Sequence, residues 1–275
     1  MKLNLETANS LKIILNKYSA HTQELQKQIA ETRTIEVFCS AFLKYIEKDW
    51  PIHLLHLIEK ERKLIALLKE RQDLPFSIEE AEKESKESMM NTMRRFPLLI
   101  EESCKTHQLK IDTTSRHPKY TFNDGFFRLE IDEKKYKAKF SDTEGNLFEI
   151  SADVDAIVEL ILKEKERIFG RKFDGNKFLK LLRTNYLAII KKLNQKDGES
   201  LPIRSITRRL GKNTKGFRSD EFAYDLSRLA TEGPFEIDKR KIDFQQTKDS
   251  KQGMLLYGSI SRGYIGFIVF KEVHS

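Results

Sequence analysis

Glycine is missing from the first 110 residues of this chain, which removes the residue that most readily interrupts a helix. The whole chain of 275 residues has only two cysteines, Cys39 and Cys104, too few for a disulfide framework and suited to a reducing compartment. No apolar run approaches the length of a membrane span, and the N-terminus lacks the apolar core of a secretory signal. We therefore expect a cytoplasmic protein, in our interpretation a bacterial one, with no membrane association.

Motifs for nucleotide binding are also missing. No GxxxxGK[ST] loop occurs, and Gly211-Lys212 follows a predicted helix rather than a strand. Gly258, Gly263 and Gly266 lie in a β-rich stretch without a following helix, which predicts a turn or bulge. We predict no cofactor and no nucleotide hydrolysis.

Side chains that could bind a metal or act as nucleophiles form only small groups. His53 and His56 are three residues apart without a third ligand, and Cys104 with His107 lacks a third group to orient the pair. The segment Ser115-Arg116-His117-Pro118 is either a functional loop or, as we favour, the entrance of a strand. We predict no catalytic and no metal-binding residue.

The first 110 residues read as helices. Apolar residues recur at steps of three and four: Leu11, Ile14, Leu15, Tyr18, Leu25, Ile29, then Ile35, Phe38, Phe42, Leu43 and Ile46. Pro51 fits a helix start, and Pro75 fits a turn before a helix from Ser77. The spacing is not a strict heptad over several turns, so three or four helices in a hairpin or small bundle are favoured over an isolated coiled coil. Such helices either bury only their own apolar stripe or dock a partner.

Residues 111–170 change period. Apolar residues alternate with polar ones through Phe127, Leu129 and Ile131, with turn residues before them at Asn123-Asp124-Gly125 and after them at Glu144-Gly145-Asn146. This pattern predicts a small antiparallel β-meander. A helix ending near Gly170 follows and connects it to the remainder of the chain.

Residues 171–275 predict helix, strand, helix, helix and then strands, which is the order of a winged helix. The first helix lies in FDGNKFLKLLRTNYLAIIKKLNQ, with Leu181 among its inward residues, and ESLPI is a short strand. RSITRRLGKN and SDEFAYDLSRLATEG are the next helices, the last with Ser219 as N-cap and Gly233 as stop. The predicted strands are FEI, KIDFQQT, MLLYGSI and GYIGFIVF. The fold class is therefore α+β, with a helical assembly region (1–110), a meander-plus-helix connector (111–170) and a basic winged-helix domain (171–275).

Positive charge is concentrated in that last region. Residues 171–275 hold 22 Lys and Arg against 12 Asp and Glu, whereas residues 1–110 hold 18 against 17. The predicted third helix is acidic, so we expect phosphate contacts and sequence-tolerant binding of double-stranded DNA rather than readout of bases. The predicted DNA-binding residues are Arg204, Arg208, Arg209, Lys212, Lys215, Arg218, Lys239, Arg240, Lys241, Lys248 and Lys251. The alternative is a basic face that only confers solubility, on a fold used for protein contacts.

Four segments between residues 115 and 275 carry a resemblance to a known family: SRHPKYTFNDGFFRLEID, FDGNKFLKLLRTNYLAIIKKL, LPIRSITRRL and SDEFAYDLSRLATEG. Their arrangement resembles the winged-helix accessory subunits of multi-component bacterial anti-phage systems, which work beside SMC-like or other ATPases and nucleases. The resemblance implies a non-enzymatic subunit that bridges or senses DNA and holds its partners together. It transfers no functional residue, because no shared active-site motif matches here.

The sequence thus predicts a non-catalytic accessory subunit of a DNA-associated complex, with an ATPase or nuclease partner and with homo-oligomerisation left open. One alternative is a winged-helix transcriptional regulator, against which the acidic third helix argues. The other is a nuclease that uses carboxylates such as Asp124 and Asp132, although Asp124, Glu130, Asp132 and Glu133 are divided between a turn and two faces of a hairpin.

Overall fold

A computed structural model describes residues 5–74, 77–258 and 263–273. The chain is a mixed α+β protein with antiparallel sheets, as predicted. Its backbone divides into two compact units, Met1–Phe96 and Pro97–Ser275. The predicted connector and basic domain both fall in the second unit, and the three predicted domain boundaries stay a prediction.

The described part of the first unit contains four complete helices, which are α1 (Leu5–Glu47), α2 (Pro51–Lys60), α3 (Arg62–Glu70) and α4 (Ile78–Arg94). Helix α1 runs for 43 residues because it contains neither glycine nor proline. Helix α2 begins at Pro51 as predicted, and Ser77 caps α4 by accepting a hydrogen bond from the Glu80 N–H at 3.2 Å. The predicted turn at Pro75 lies outside the described residues.

Only the last turns of α1 enter the core of this unit. Phe38 and Phe42 pack there, and the other buried members of that core are Leu54, Ile58, Ile65, Leu68 and Ile78. The earlier apolar residues of α1 are exposed: Leu11, Ile14, Leu15, Tyr18, Leu25 and Ile29. The alternative in which the N-terminal helices bury only their own stripe is therefore wrong for these six residues.

The second unit begins with α5 (Phe96–Thr106), β1 (Lys119–Phe122), β2 (Phe127–Asp132), β3 (Lys137–Ser141), β4 (Asn146–Ser151) and α6 (Val154–Phe169). The four strands form an antiparallel meander in sequence order, as predicted. Phe127, Leu129 and Ile131 are buried while the alternate residues of β2 are exposed. Period-two alternation therefore identified the buried face correctly.

Each turn of the meander is held by an aspartate that accepts two backbone N–H bonds. Asp112 accepts from Asp124 and Gly125, at 3.1 and 2.7 Å. Asp132 holds the second turn through the N–H groups of Lys134 and Lys135, both at 3.1 Å. Asp142 holds the third turn in the same way, through Glu144 and Gly145 at 2.7 and 2.8 Å. These carboxylates act on their own backbone, which is a common role of aspartate in turns.

The remaining elements are α7 (Gly175–Lys192), β5 (Leu201–Pro202), α8 (Ile203–Asn213), α9 (Ser219–Glu232), β6 (Glu236–Ile237), β7 (Arg240–Thr247), β8 (Met254–Leu255) and β9 (Tyr264–Glu272). The sheet has the order β5-β9-β7-β6, and β8 also pairs with β9. The three helices and the sheet enclose one core that includes Leu182, Tyr186, Ile206, Leu226 and Phe270.

Details of this region depart from the sequence prediction. Leu181, predicted to face inward, is 40% exposed. Helix α9 begins with Ser219 as its first residue, so the N-cap is Arg218. The predicted strand MLLYGSI is shorter, since β8 ends at Leu255, and its last two residues lie outside the described part of the chain. Gly233 ends α9 as predicted, with a φ of 74° that favours glycine.

An aromatic cluster joins the meander to the basic region within this unit. Phe126 lies in the β1–β2 turn, Phe169 ends α6, Tyr224 lies on α9 and Tyr257 follows β8. The ring centroids of Phe169 and Tyr224 are 4.8 Å apart, and those of Phe126 and Tyr257 are 5.1 Å apart, both pairs in edge-to-face geometry. The meander and α6 therefore contact the basic region through aromatic side chains within this unit.

Candidate nucleic-acid interface

Helix α8 presents cations on its outer face. Ile203, Ile206 and Leu210 are buried, because their spacing places them on one side of the helix. Arg208 and Lys212 are exposed, and Lys215 is exposed in the loop that follows. These three residues, called here the α8 cations, have no hydrogen bond or ion pair with another side chain among the described residues.

Two other predicted DNA contacts on α8 are held inside the unit. Arg204 forms an ion pair with Glu144 in the β3–β4 turn and donates to the Gly253 carbonyl at 2.7 Å. Arg209 donates from Nε to Asn185 Oδ1 on α7 at 3.1 Å. Both arginines are half-buried. Arg204 in particular binds parts of the chain together rather than facing solvent.

Arg218 and Arg240 are also engaged internally. Arg218 donates to Asp220 at 2.9 Å. Arg240 pairs with Asp197 at 3.0 Å and Glu272 at 2.8 Å, and donates to the Phe270 carbonyl. Their guanidinium groups are paired with nearby carboxylates. These two arginines therefore add less positive potential at the surface than unpaired arginines would.

The predicted lysines of the strand connections fall at two ends of β7. Lys239 and Lys241 are exposed at its start, and Lys248 and Lys251 are exposed beyond its end. An eight-residue strand spans about 23 Å from first to last residue. The bond from Arg204 to Gly253 holds the loop that carries Lys248 and Lys251 against the first turn of α8. The structure thus brings one lysine pair toward α8 and leaves the other at the far end of the strand.

The acidic residues of α9 are paired with arginines from α6 and the segment after it. Arg167 forms ion pairs with Asp220 and with Glu221, the latter at 2.6 Å. Arg171 pairs with Asp225 at 2.8 Å. The sequence alone did not point to Arg167 or Arg171, because their acidic partners lie more than 50 positions later in the chain. The acidic side chains of α9 are therefore neutralised by arginines of the same unit.

The pKa values of these acids reflect that pairing. Burial alone would raise the pKa of Asp220, but hydrogen bonds from Arg218 and Arg167 outweigh it and lower that pKa below its ordinary value. For Asp225, burial is the larger effect and raises the pKa despite Arg171. Burial raises the pKa of Glu144 as well, against the hydrogen bond from Arg204.

The small groups of reactive side chains have structural surroundings. His117 contacts Tyr120 Oη at 2.9 Å through Nδ1 and Glu133 at 2.7 Å through Nε2, at the entrance of β1. The Tyr120 side chain is buried, and burial raises the pKa of its hydroxyl to about 12. This arrangement fits the strand-entrance interpretation of the segment.

The residues of the two other pairs also have structural surroundings. The His53 ring lies 5.1 Å from the centroids of both Tyr45 and Trp50. Cys104 is buried, and burial raises the pKa of its thiol to about 12, whereas His107 is exposed and its Nδ1 contacts the Ser103 carbonyl at 2.9 Å. A thiol with so high a pKa is a poor nucleophile.

Neither a metal cluster nor a membrane helix occurs in the described residues. Over 5–74, 77–258 and 263–273, no three His, Cys, Asp or Glu side chains lie together in a group that could hold a metal ion. The nuclease alternative requires carboxylates such as Asp124, in the β1–β2 turn, and Asp132, at the end of β2. The Asp132 carboxylate accepts hydrogen bonds from two backbone N–H groups of the β2–β3 turn. No described helix is both long and apolar enough to cross a membrane.

Comparison with known proteins finds no match for this chain among protein-family models, curated proteins or solved structures.

Proposed function

We propose that this protein is a non-catalytic subunit of a DNA-associated protein complex that contacts duplex phosphates through the α8 cations. The observation that carries the proposal is a separation of charge. The α8 cations are exposed, while the acids of α9 are paired with arginines inside the unit. The outward field at α8 is therefore positive, which favours polyanions.

The proposed scaffold is a winged helix. Helix α7, strand β5, helices α8 and α9, and strands β7 and β9 follow in that order, and β5 pairs with β9 in the order β5-β9-β7. On this assignment α9 is the third helix, which usually enters the major groove. Its acidic first turn is bound to Arg167 and Arg171, so we assign phosphate contact to α8 and the nearby Lys248 and Lys251.

Partner proteins complete the proposal. The resemblance to winged-helix accessory subunits of bacterial anti-phage systems supports an ATPase or nuclease partner in the cytoplasm. The exposed apolar residues of α1 support protein docking by the N-terminal unit. DNA contact and partner contact are then assigned to separate units of one chain.

The test is binding of a fluorescent duplex over a salt series. Wild type is compared with Arg208→Glu/Lys212→Glu/Lys215→Glu and with a control of equal charge change on the meander, Lys134→Glu/Lys135→Glu/Lys139→Glu, whose three lysines are also exposed. We expect wild type to bind unrelated duplexes similarly, with affinity falling steeply as salt rises. The α8 variant should lose at least about tenfold in affinity, and its salt slope should fall by about three.

Equal losses in the two variants would show that net charge, not the α8 face, controls binding. Strong preference for one sequence would favour a transcriptional regulator instead. Absence of wild-type binding at low salt would overturn the proposal in favour of a protein-docking fold.

A further inference from the structure

Helix α1 carries an exposed, largely apolar stripe beside the face that packs into its own core. Its core-facing residues are Phe38 and Phe42, which are buried. When these are set aside, exposed residues recur at alternating steps of four and three along the whole helix. In chain order they are Leu11, Leu15, Tyr18, Thr22, Leu25, Ile29, Thr32, Glu36, Cys39, Leu43 and Ile46. This outer stripe follows the a and d positions of a heptad repeat.

From its exposed apolar residues and heptad spacing, we infer that the outer stripe pairs with the same stripe of a second copy, as a parallel, in-register two-stranded coiled coil. The inference rests on the proposed function in one respect: the proposed function assigns protein docking to the N-terminal unit, and the inference identifies a second copy of the chain as its partner. The alternation of four and three is the spacing that keeps one seam facing an equivalent helix.

The hydroxyl groups of the stripe threonines make hydrogen bonds within α1. Thr22 Oγ1 donates to the Tyr18 carbonyl and Thr32 Oγ1 donates to the Gln28 carbonyl, both at 2.9 Å. Each hydroxyl proton is thus satisfied within its own helix. The threonine methyl groups can enter an apolar seam without leaving an unpaired donor.

The residues that flank the stripe favour an identical partner. In a parallel pair, each g residue faces the e residue five positions later on the other helix. Before the core of the unit begins, these pairs are Ile14 with Ser19, His21 with Gln26, and Gln28 with Arg33, whereas the later g residues Ile35 and Phe42 pack into that core. None of them opposes two like charges, so two copies can approach without the repulsion that separates many helices from themselves.

Residue types in the middle of the stripe favour two parallel strands. A β-branched residue at a with leucine at d favours a parallel dimer, and Ile29 and Leu25 occupy those positions in the middle of the stripe. The part of α1 before residue 35 spans about 45 Å and holds most of the stripe. A helix of this length is stabilised mainly by packing of its apolar face, which a second copy would supply.

Glu36 is the one charged residue in the stripe. In the proposed pair it meets its own copy at an a position, where a polar residue reduces stability. Glu36→Leu should therefore strengthen association by at least about tenfold. Stronger association of Glu36→Leu would show that residue 36 lies in a specific helix–helix interface, because a nonspecific contact would not respond to this one position.

The decisive experiment is sedimentation equilibrium of the full chain over a concentration series. We expect wild type to have twice the monomer mass of 32.3 kDa at micromolar concentration. Leu25→Glu/Ile29→Glu should be monomeric, with a cooperative urea-unfolding transition that shows its two buried cores to be intact. The matched control is Ile13→Glu/Val37→Glu, which changes two exposed apolar residues outside the stripe and should remain dimeric.

A crosslinking arm tests orientation independently of stability. Cys39 is exposed and lies in the stripe, whereas Cys104 is buried. In the parallel in-register pair the two Cys39 residues face each other, so mild oxidation should link two wild-type chains. Cys39→Ser/Val37→Cys, with the thiol moved off the stripe, should not be linked efficiently.

A wild type that is monomeric, or of any order other than two, overturns the inference, and so does equal dissociation of the stripe and control variants. Failure of Cys39 to crosslink in a dimer overturns the parallel arrangement. Duplex binding by the monomeric Leu25→Glu/Ile29→Glu variant separates the two proposals. Salt-dependent binding by this variant supports phosphate contact whether or not α1 forms a pair. Absence of duplex binding in both wild type and variant rejects phosphate contact but leaves the pairing of α1 unaffected.

Discussion

The α6–α9 junction and the outer face of α8 lie in the same unit and are both rich in basic side chains, yet they use charge in opposite ways. At the junction, Arg167 meets three carboxylates, and two of them, Glu164 and Asp220, are almost fully buried. On α8, Arg208 and Lys212 project into solvent. The first arrangement stabilises the fold, and the second is available for an external anion. Position, rather than charge count, separates a structural arginine from a binding one.

Replacing Arg167 should have the largest effect on stability. Arg167→Ala leaves Glu164 and Asp220 buried beside fewer cations, and removal of one partner from a buried ion pair costs about 3–5 kcal/mol. Urea unfolding measures the change. Arg167→Lys is the control, because it keeps the charge but not the forked geometry, and it should lose less. If Arg167→Ala lowers the free energy of unfolding by less than about 1 kcal/mol, the arginines of the junction do not stabilise the fold more than those of the α8 face.

Arg204 and Arg208 provide a matched pair one turn apart on α8. Arg204→Ala should cost about 2–3 kcal/mol, because it leaves the buried Glu144 unpaired and removes the bond to Gly253. Arg208→Ala should change the free energy of unfolding by less than about 0.5 kcal/mol, since Arg208 is exposed. Duplex affinity should respond in the opposite order. Similar stability losses in the two variants would contradict the assignment.

Asp142 should make stability depend on pH. Burial raises the pKa of Asp142 from 3.8 to about 6, so the folded state holds this proton more tightly than the unfolded state. The stability contributed by the protonated group is complete below pH 3.8 and is lost as the pH rises to about 6. Relative to Asp142→Asn, wild type should therefore lose about 1–3 kcal/mol between pH 4 and pH 7 in urea unfolding. Parallel pH profiles for the two proteins would show that Asp142 is not buried in this way.

The smallest expected effect is at the far end of β7. Lys239→Glu/Lys241→Glu should reduce duplex affinity less than about threefold at moderate salt, because these residues lie about 23 Å from the loop that meets α8 and are partly screened. Fluorescence anisotropy under the conditions used for the α8 variant gives the comparison. A loss as large as that of the α8 variant would extend the binding face along the whole strand.

Local patterns predicted most of the elements. Alternation located the buried face of β2, Pro51 located the start of α2 and Gly233 located the end of α9. The same reasoning did not separate the buried face of α1 from its exposed apolar face. Phe42 and Leu43 are neighbours in sequence, but only Phe42 is buried. Apolar spacing alone therefore concealed the heptad, which emerged only when the residues of the core were known.

The sequence by itself determined that the chain is α+β, that its first part is helical and that its last hundred residues are basic. These properties depend on local propensity, hydrophobic period and composition, which need no knowledge of distant residues. Only the tertiary structure decided which cations remain exposed: Arg204 is turned toward Glu144, 60 positions earlier, and Arg167 toward Asp220, 53 positions later. An ion pair between residues so far apart in sequence leaves no local pattern, because its two members meet only when the chain has folded.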